Sequence, residues 1–156
     1  MARMKRTITL ASIFLMAVSA LPAHQNQKDN DLQQACNAAR SQSQMNQCAG
    51  EQYHKADARL NAVYQKALEI MQRNLADAKA KKDAQLIKYD QDGIEKLKAA
   101  ERAWIQYRNL HCDAAGQRYE GGSMRPMIWG QCMAETTLDR IKELRSAFED
   151  GDLKLE

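Results

Sequence analysis

The sequence predicts an all-α protein, an antiparallel bundle of three main helices plus a short N-terminal helix, stapled by two disulfides. Three observations predict it. Apolar residues recur at steps of three and four over long stretches, and no run alternates with the period of two that a half-buried strand needs. Only 7 glycines and 2 prolines punctuate the 156 residues, and three of these nine fall between Gly121 and Pro126. The four cysteines flank the two local breaks of the helical pattern. A 44% hydrophobic content is enough to bury the modest core of one domain.

Residues 1–23 read as a signal peptide. Arg3, Lys5 and Arg6 form a basic start, and the apolar run from Ile8 to Leu21 is too short to span a bilayer comfortably. Cleavage is expected after Ala20 or Ala23, and no cysteine stands there to accept a lipid. The formal net charge of +3 equals the three basic residues of this segment, so the remaining chain is neutral. With no basic patch carrying interleaved aromatics, a nucleic-acid partner is excluded, and no membrane span is left once the signal is removed. The expected location is periplasmic or secreted.

Residues 24–31 are polar and aperiodic and are expected to form a flexible mature N-terminus, ahead of a helical domain at 32–149 and an acidic tail at 150–156. A short helix is expected from Leu32 to Arg40. Ser41-Gln42-Ser43-Gln44 matches a capping box and predicts the start of a long helix. Its stripe runs Met45, Cys48, Gln52, Ala56, Leu60, Val63, Ala67, Ile70 and Asn74, widened by Tyr53, Tyr64, Leu68, Met71 and Leu75. Ala76 to Asp83 reads as a solvated helix end. Leu86, Ile87 and Tyr89 make a small apolar cluster before Asp90-Gln91-Asp92-Gly93, which by its Asp and Gly content reads as a turn.

The next helix is expected to bury Ile94, Leu97, Ala100, Trp104, Ile105, Tyr107, Arg108, Cys112 and Ala115. Gly121 and Gly122 end it, Ser123 is placed to cap the following helix, and Pro126 is tolerated in a first turn where a missing amide does no harm. That last helix is expected to bury Ile128, Cys132, Leu138, Ile141, Leu144 and Phe148 and to end near Gly151. Export into an oxidising compartment makes the cysteines two disulfides. Cys36 pairs most economically with Cys48 and Cys112 with Cys132, each bridge contributing about 3 kcal/mol by chain entropy. Crossed pairings are the alternative.

The chain also resembles a known family. The succession Cys36, Met45-Asn46-Gln47-Cys48-Ala49, Tyr53, Ala56 to Tyr64, Glu101 to Arg108, Cys112, Tyr119-Glu120-Gly121-Gly122-Ser123 and Cys132 is similar to the lysozyme inhibitor LprI N-terminal domain family, from about Cys36 to Leu144. The resemblance implies an exported, cysteine-containing helical domain of bacterial envelopes, in a family named for a member that inhibits lysozyme. It marks Asp57, Leu60, Asn61, Tyr64, Trp104 and Arg108 as structural motif residues.

On that footing the candidate partner-binding loop is Arg118, Glu120, Gly121, Gly122, Ser123 and Arg125. Lysozyme works through two carboxylates in a cleft, and a protruding loop with hydrogen-bond donors is the simplest plug for it. The plainer reading is a helix–helix turn. Asp57 and Arg108 read first as an ion pair knitting two helices, with Trp104 and Tyr64 in the core. His24, His54 and His111 lack metal-ligand spacing, so neither a metal nor another cofactor is expected. Met124, Met127 and Met133 near His111 have the softness for copper(I) but read better as core filler. No nucleophile elbow, catalytic triad or phosphate loop appears, and carboxylates such as Glu101 read as surface charges, so no enzyme is expected. The partners this leaves are lysozyme, or another envelope protein or peptidoglycan bound without inhibition.

Overall fold

The computed structural model describes residues 34 and 36–148. The signal segment at 1–23, the N-terminus at 24–31 and the tail at 150–156 lie outside them. After a helical turn at 36–38 come three long helices, α1 (Gln42–Ala80), α2 (Ala84–Gln117) and α3 (Arg125–Phe148), which fold back on one another as an all-α bundle with no strand among the described residues. None of the helices is long and apolar enough to cross a membrane.

Local sequence sets each boundary. Ser41 is the cap of α1: its hydroxyl accepts from the Gln44 amide at 3.2 Å, while its own amide donates to Gln44 Oε1 at 3.1 Å. The helix stops where Lys82 adopts φ 57°, in the left-handed region a lysine rarely enters. Asp83 then caps α2, its carboxylate accepting from the amides of Gln85 and Leu86 at 3.0 Å each. The turn expected at Asp90 to Gly93 is therefore misplaced: α2 runs through those residues, and the break lies at 81–83. The physical reason is that an aspartate capping free amides at 83 outcompetes the same residue type inside a continuing helix. Gly93 serves another purpose, since a Cβ there would meet the Met71 methyl at 3.0 Å.

The core joins Leu60, Val63, Ala67 and Leu68 of α1 to Ile94 and Leu97 of α2 and to Ile141 and Leu144 of α3. Tyr64, Met71, Leu75, Trp104 and Phe148 close over it. α3 lies mainly against α1, and small residues let the two backbones meet: a Cβ on Gly130 would sit 3.0 Å from the Ala49 carbonyl carbon. Most of the α1 stripe is thus borne out, although Asn74 is exposed and Ala78, in the segment read as solvated, is buried.

The other two stripes need correction. In α2, Ala100, Ile105, Tyr107 and Ala115 are exposed; Ile94, Leu97, Arg108 and Cys112 are buried as expected, and Glu101, read as a surface charge, is buried with them. The inward positions step 94, 97, 101, 108, 112 and 116, and reading by apolarity alone drew residues from the opposite face into the list. In α3, Leu138 is exposed and the inward face is Met133, Ala134, Thr137, Ile141 and Leu144. That helix is described to Phe148, and its expected end near Gly151 lies outside the described residues.

Candidate functional site

The α2–α3 turn carries the loop singled out in the sequence. Arg118 caps α2, and the Tyr119 amide donates to the Gly116 carbonyl at 2.9 Å. Gly121 has φ 73°, a conformation glycine adopts without steric cost. The Gly122 amide donates back to Tyr119 O at 3.0 Å, and the Arg125 amide to Gly122 O at 3.3 Å. Ser123 is not the cap of α3, because that helix starts two residues later and it is the Met124 carbonyl that accepts from Ile128 at 3.1 Å. Ser123 instead offers its carbonyl to Asn46 Nδ2 at 3.0 Å, tying the loop to the first turns of α1. Pro126 falls in the first turn of α3, as expected.

Beneath the loop, Cys112 and Cys132 form a disulfide with Cα atoms 5.5 Å apart, and Cys36 pairs with Cys48. Trp129 Nε1 donates to Asp113 Oδ1 at 2.9 Å and its ring meets Tyr53 edge-on at 5.6 Å, so both helix ends flanking the loop are pinned. Of the six candidate residues, Arg125 is ion-paired with Glu120 across the loop, and the Arg125 stem lies over Gly116. Arg118, Gly121, Gly122 and Ser123 are exposed. The arrangement is a stiff, solvent-facing turn with hydrogen-bond donors at its surface and a covalent clamp at its base.

The motif residues come together elsewhere, in the middle of the bundle. Arg108 Nη1 lies 2.7 Å from Asp57 Oδ1 and donates to Thr137 Oγ1 at 3.1 Å, which links all three helices. Its guanidinium is 5.0 Å from the Trp104 ring centroid and 5.3 Å from that of Tyr53. Asn61 Nδ2 donates to the second Asp57 oxygen at 3.4 Å, and Leu60 is in the core. Burial raises the Tyr53 pKa above the ordinary tyrosine value; Arg108 opposes the rise and Asp57 adds to it. With Arg108 only 5% exposed, this constellation offers no donor to a partner and holds the fold.

Glu101 corrects a further expectation. It is buried, not a surface charge, and accepts from Arg140 Nε at 3.1 Å and Nη2 at 3.0 Å. Arg140 lies 5.7 Å from the Trp104 centroid, so this pair and the Arg108 pair share one indole. Thr137 is absent from the sequence reading, where the available signal is its place on the α3 stripe; Asn46 stands there only in the family segment, with no tie to the loop.

Among the described residues no group of three or more His, Cys, Asp or Glu is placed to hold a metal ion. The three methionines weighed for copper do not converge: Met133 is in the core, Met124 is exposed, and Met127 accepts from Gln42 Nε2 at 3.7 Å. His111 stacks on Tyr107 at 5.4 Å. A groove of about 290 Å³ between α1 and α3 is lined by Ala56 and Ala134 with Lys55, Arg59 and Glu135.

The family described as Lysozyme inhibitor LprI matches the chain over residues 33–144. A curated relative, Uncharacterized protein R02472 of Rhizobium meliloti (strain 1021), is 36% identical over 144 residues, covering 90% of this chain and 95% of its own length. No solved structure matches.

Proposed function

The chain belongs to the lysozyme inhibitor LprI family, and from that premise we propose that it is an exported, non-enzymatic binding protein that occludes lysozyme. The observation that carries the reading is the exposed turn at 118–124, clamped at its base by the Cys112–Cys132 bridge. A loop ordered before binding loses little conformational entropy on entering a cleft. Arg118 and the Ser123 hydroxyl supply donors for carboxylate oxygens, and the Glu120–Arg125 pair holds the loop in shape. Two disulfides suit an oxidising compartment, and the periplasm or the exterior is where such a protein meets its target.

The assignment of the loop is tested with Arg118→Ala/Ser123→Ala/Arg125→Ala. Inhibition of a lysozyme by this variant is expected to weaken by at least about tenfold, the equivalent of one lost charged hydrogen bond. Undiminished inhibition by a folded triple variant moves the contact to another surface.

A further inference from the structure

The groove of about 290 Å³ between α1 and α3 combines an apolar floor with one cationic wall. Ala56 and Ala134, both buried, lie at its base, and the exposed Leu138 borders it. Lys55 and Arg59, one helical turn apart, line the α1 wall, and Glu135 is on the α3 wall. Such a trough fits an extended chain segment that brings carboxylates to the cations and one aliphatic side chain to the alanines.

The protein's own chain leads to this groove. Cys36 comes 12 positions before Cys48, yet their Cα atoms are 5.4 Å apart, so the chain doubles back ahead of α1. Gln52 Nε2 donates to Cys36 Sγ at 3.7 Å, which places Cys36 beside the second turn and a half of the helix. A second hollow of about 270 Å³, lined in part by Cys36 and Cys48, shares Gln52 and Gln131 with the groove. Residues just upstream of Cys36 are thus delivered to its end.

We propose that the groove holds Asp29-Asn30-Asp31-Leu32-Gln33 of the same chain, clasped in place by the Cys36–Cys48 bridge. These five lie outside the described residues, and their sequence matches the lining: two carboxylates for Lys55 and Arg59, and Leu32 for Ala56, Ala134 and Leu138. The amides of an extended segment can donate to Glu135. The reach agrees. The Cys36 contacts put Gln34 near the level of Gln52, and three extended residues span about 10 Å, as much as roughly seven residues of a helix. Asp31 then comes level with Arg59 and Leu32 with Ala56. Either expected signal cleavage, after Ala20 or Ala23, leaves the segment on the protein. Another acidic chain offers the same chemistry, but a segment on so short a tether competes at an effective concentration in the millimolar range.

The test needs no lysozyme, so its outcome is independent of inhibition. The methyl signals of Ala56 and Ala134 are followed by NMR in the oxidised protein beginning at His24 and in a shortened chain beginning at Gln34. Both signals are expected to shift on shortening, and a peptide of residues 24–33 added to the shortened chain is expected to move them back. A charge cycle read by melting temperature checks the pairing. Asp29→Lys/Asp31→Lys is expected to lower it by roughly 2 to 4 °C, and to raise it in a Lys55→Glu/Arg59→Glu background. Signals indifferent to shortening, a segment substitution that lowers the melting temperature in both backgrounds, or shifts that follow protein concentration and so put the guest on a second copy, overturn the proposal.

Discussion

Arg108 Nη1 sits 2.7 Å from Asp57 Oδ1, beside a second buried pair, Glu101 with Arg140, that shares the Trp104 indole. The guanidinium is enclosed by Tyr53 and Trp104 and also bonded to Thr137, so all three helices converge on one buried charge. Such a charge specifies register, because a slip of any helix leaves it without its partner.

The two partners are therefore energetically coupled. Asp57→Ala is expected to lower unfolding stability by about 2 kcal/mol, the value of a hydrogen bond to a charged group. Asp57→Ala/Arg108→Met should lose less than the two single losses added together, as residues in contact do. Urea unfolding of the three variants measures it.

The glycines make an opposed pair of predictions. Gly130→Ala drives a methyl to within 3.0 Å of the Ala49 backbone, and overpacking of that kind costs about 1 to 3 kcal/mol. Gly50→Ala meets nothing within 4 Å and should stabilise α1 by about 0.5 to 1 kcal/mol through helix propensity. Thermal melts of the two variants should shift in opposite directions.

Much of this fold was legible because its signals are local. The Ser41–Gln44 box, the Gly121–Gly122 turn and the two short cysteine pairings each operate within about twenty residues, and all appear as read, unlike the turn expected at Asp90 to Gly93. The faces of α2 were harder, since Ile105 and Tyr107 look like core residues until Glu101 is allowed inside beside Arg108. That requires partners on other helices, Arg140 and Asp57, which spacing along one helix does not reveal. The loop's tie to Asn46 spans 77 positions and is hidden for the same reason.

The Cys112–Cys132 bridge closes a separation of 20 residues, for which chain entropy gives about 3 kcal/mol. Cys112→Ala/Cys132→Ala should lose about that much in urea unfolding and should free the loop's base.

Tyr53 gives a pH signature. Its pKa is raised, mainly by burial, so the folded protein disfavours the phenolate relative to the unfolded chain. Stability is complete below the ordinary tyrosine pKa of about 10 and declines as pH rises through the folded value. Absorbance titration at 295 nm should show one late tyrosine, absent in Tyr53→Phe.

The central claim is inhibition, and a clearing assay tests it most directly. The oxidised protein is titrated into lysozyme acting on a bacterial wall suspension, beside a reduced and alkylated sample. Dose-dependent inhibition by the oxidised form, lost on reduction, is the predicted result. Undiminished clearing at large molar excess of the oxidised protein would contradict it and point to an envelope partner instead.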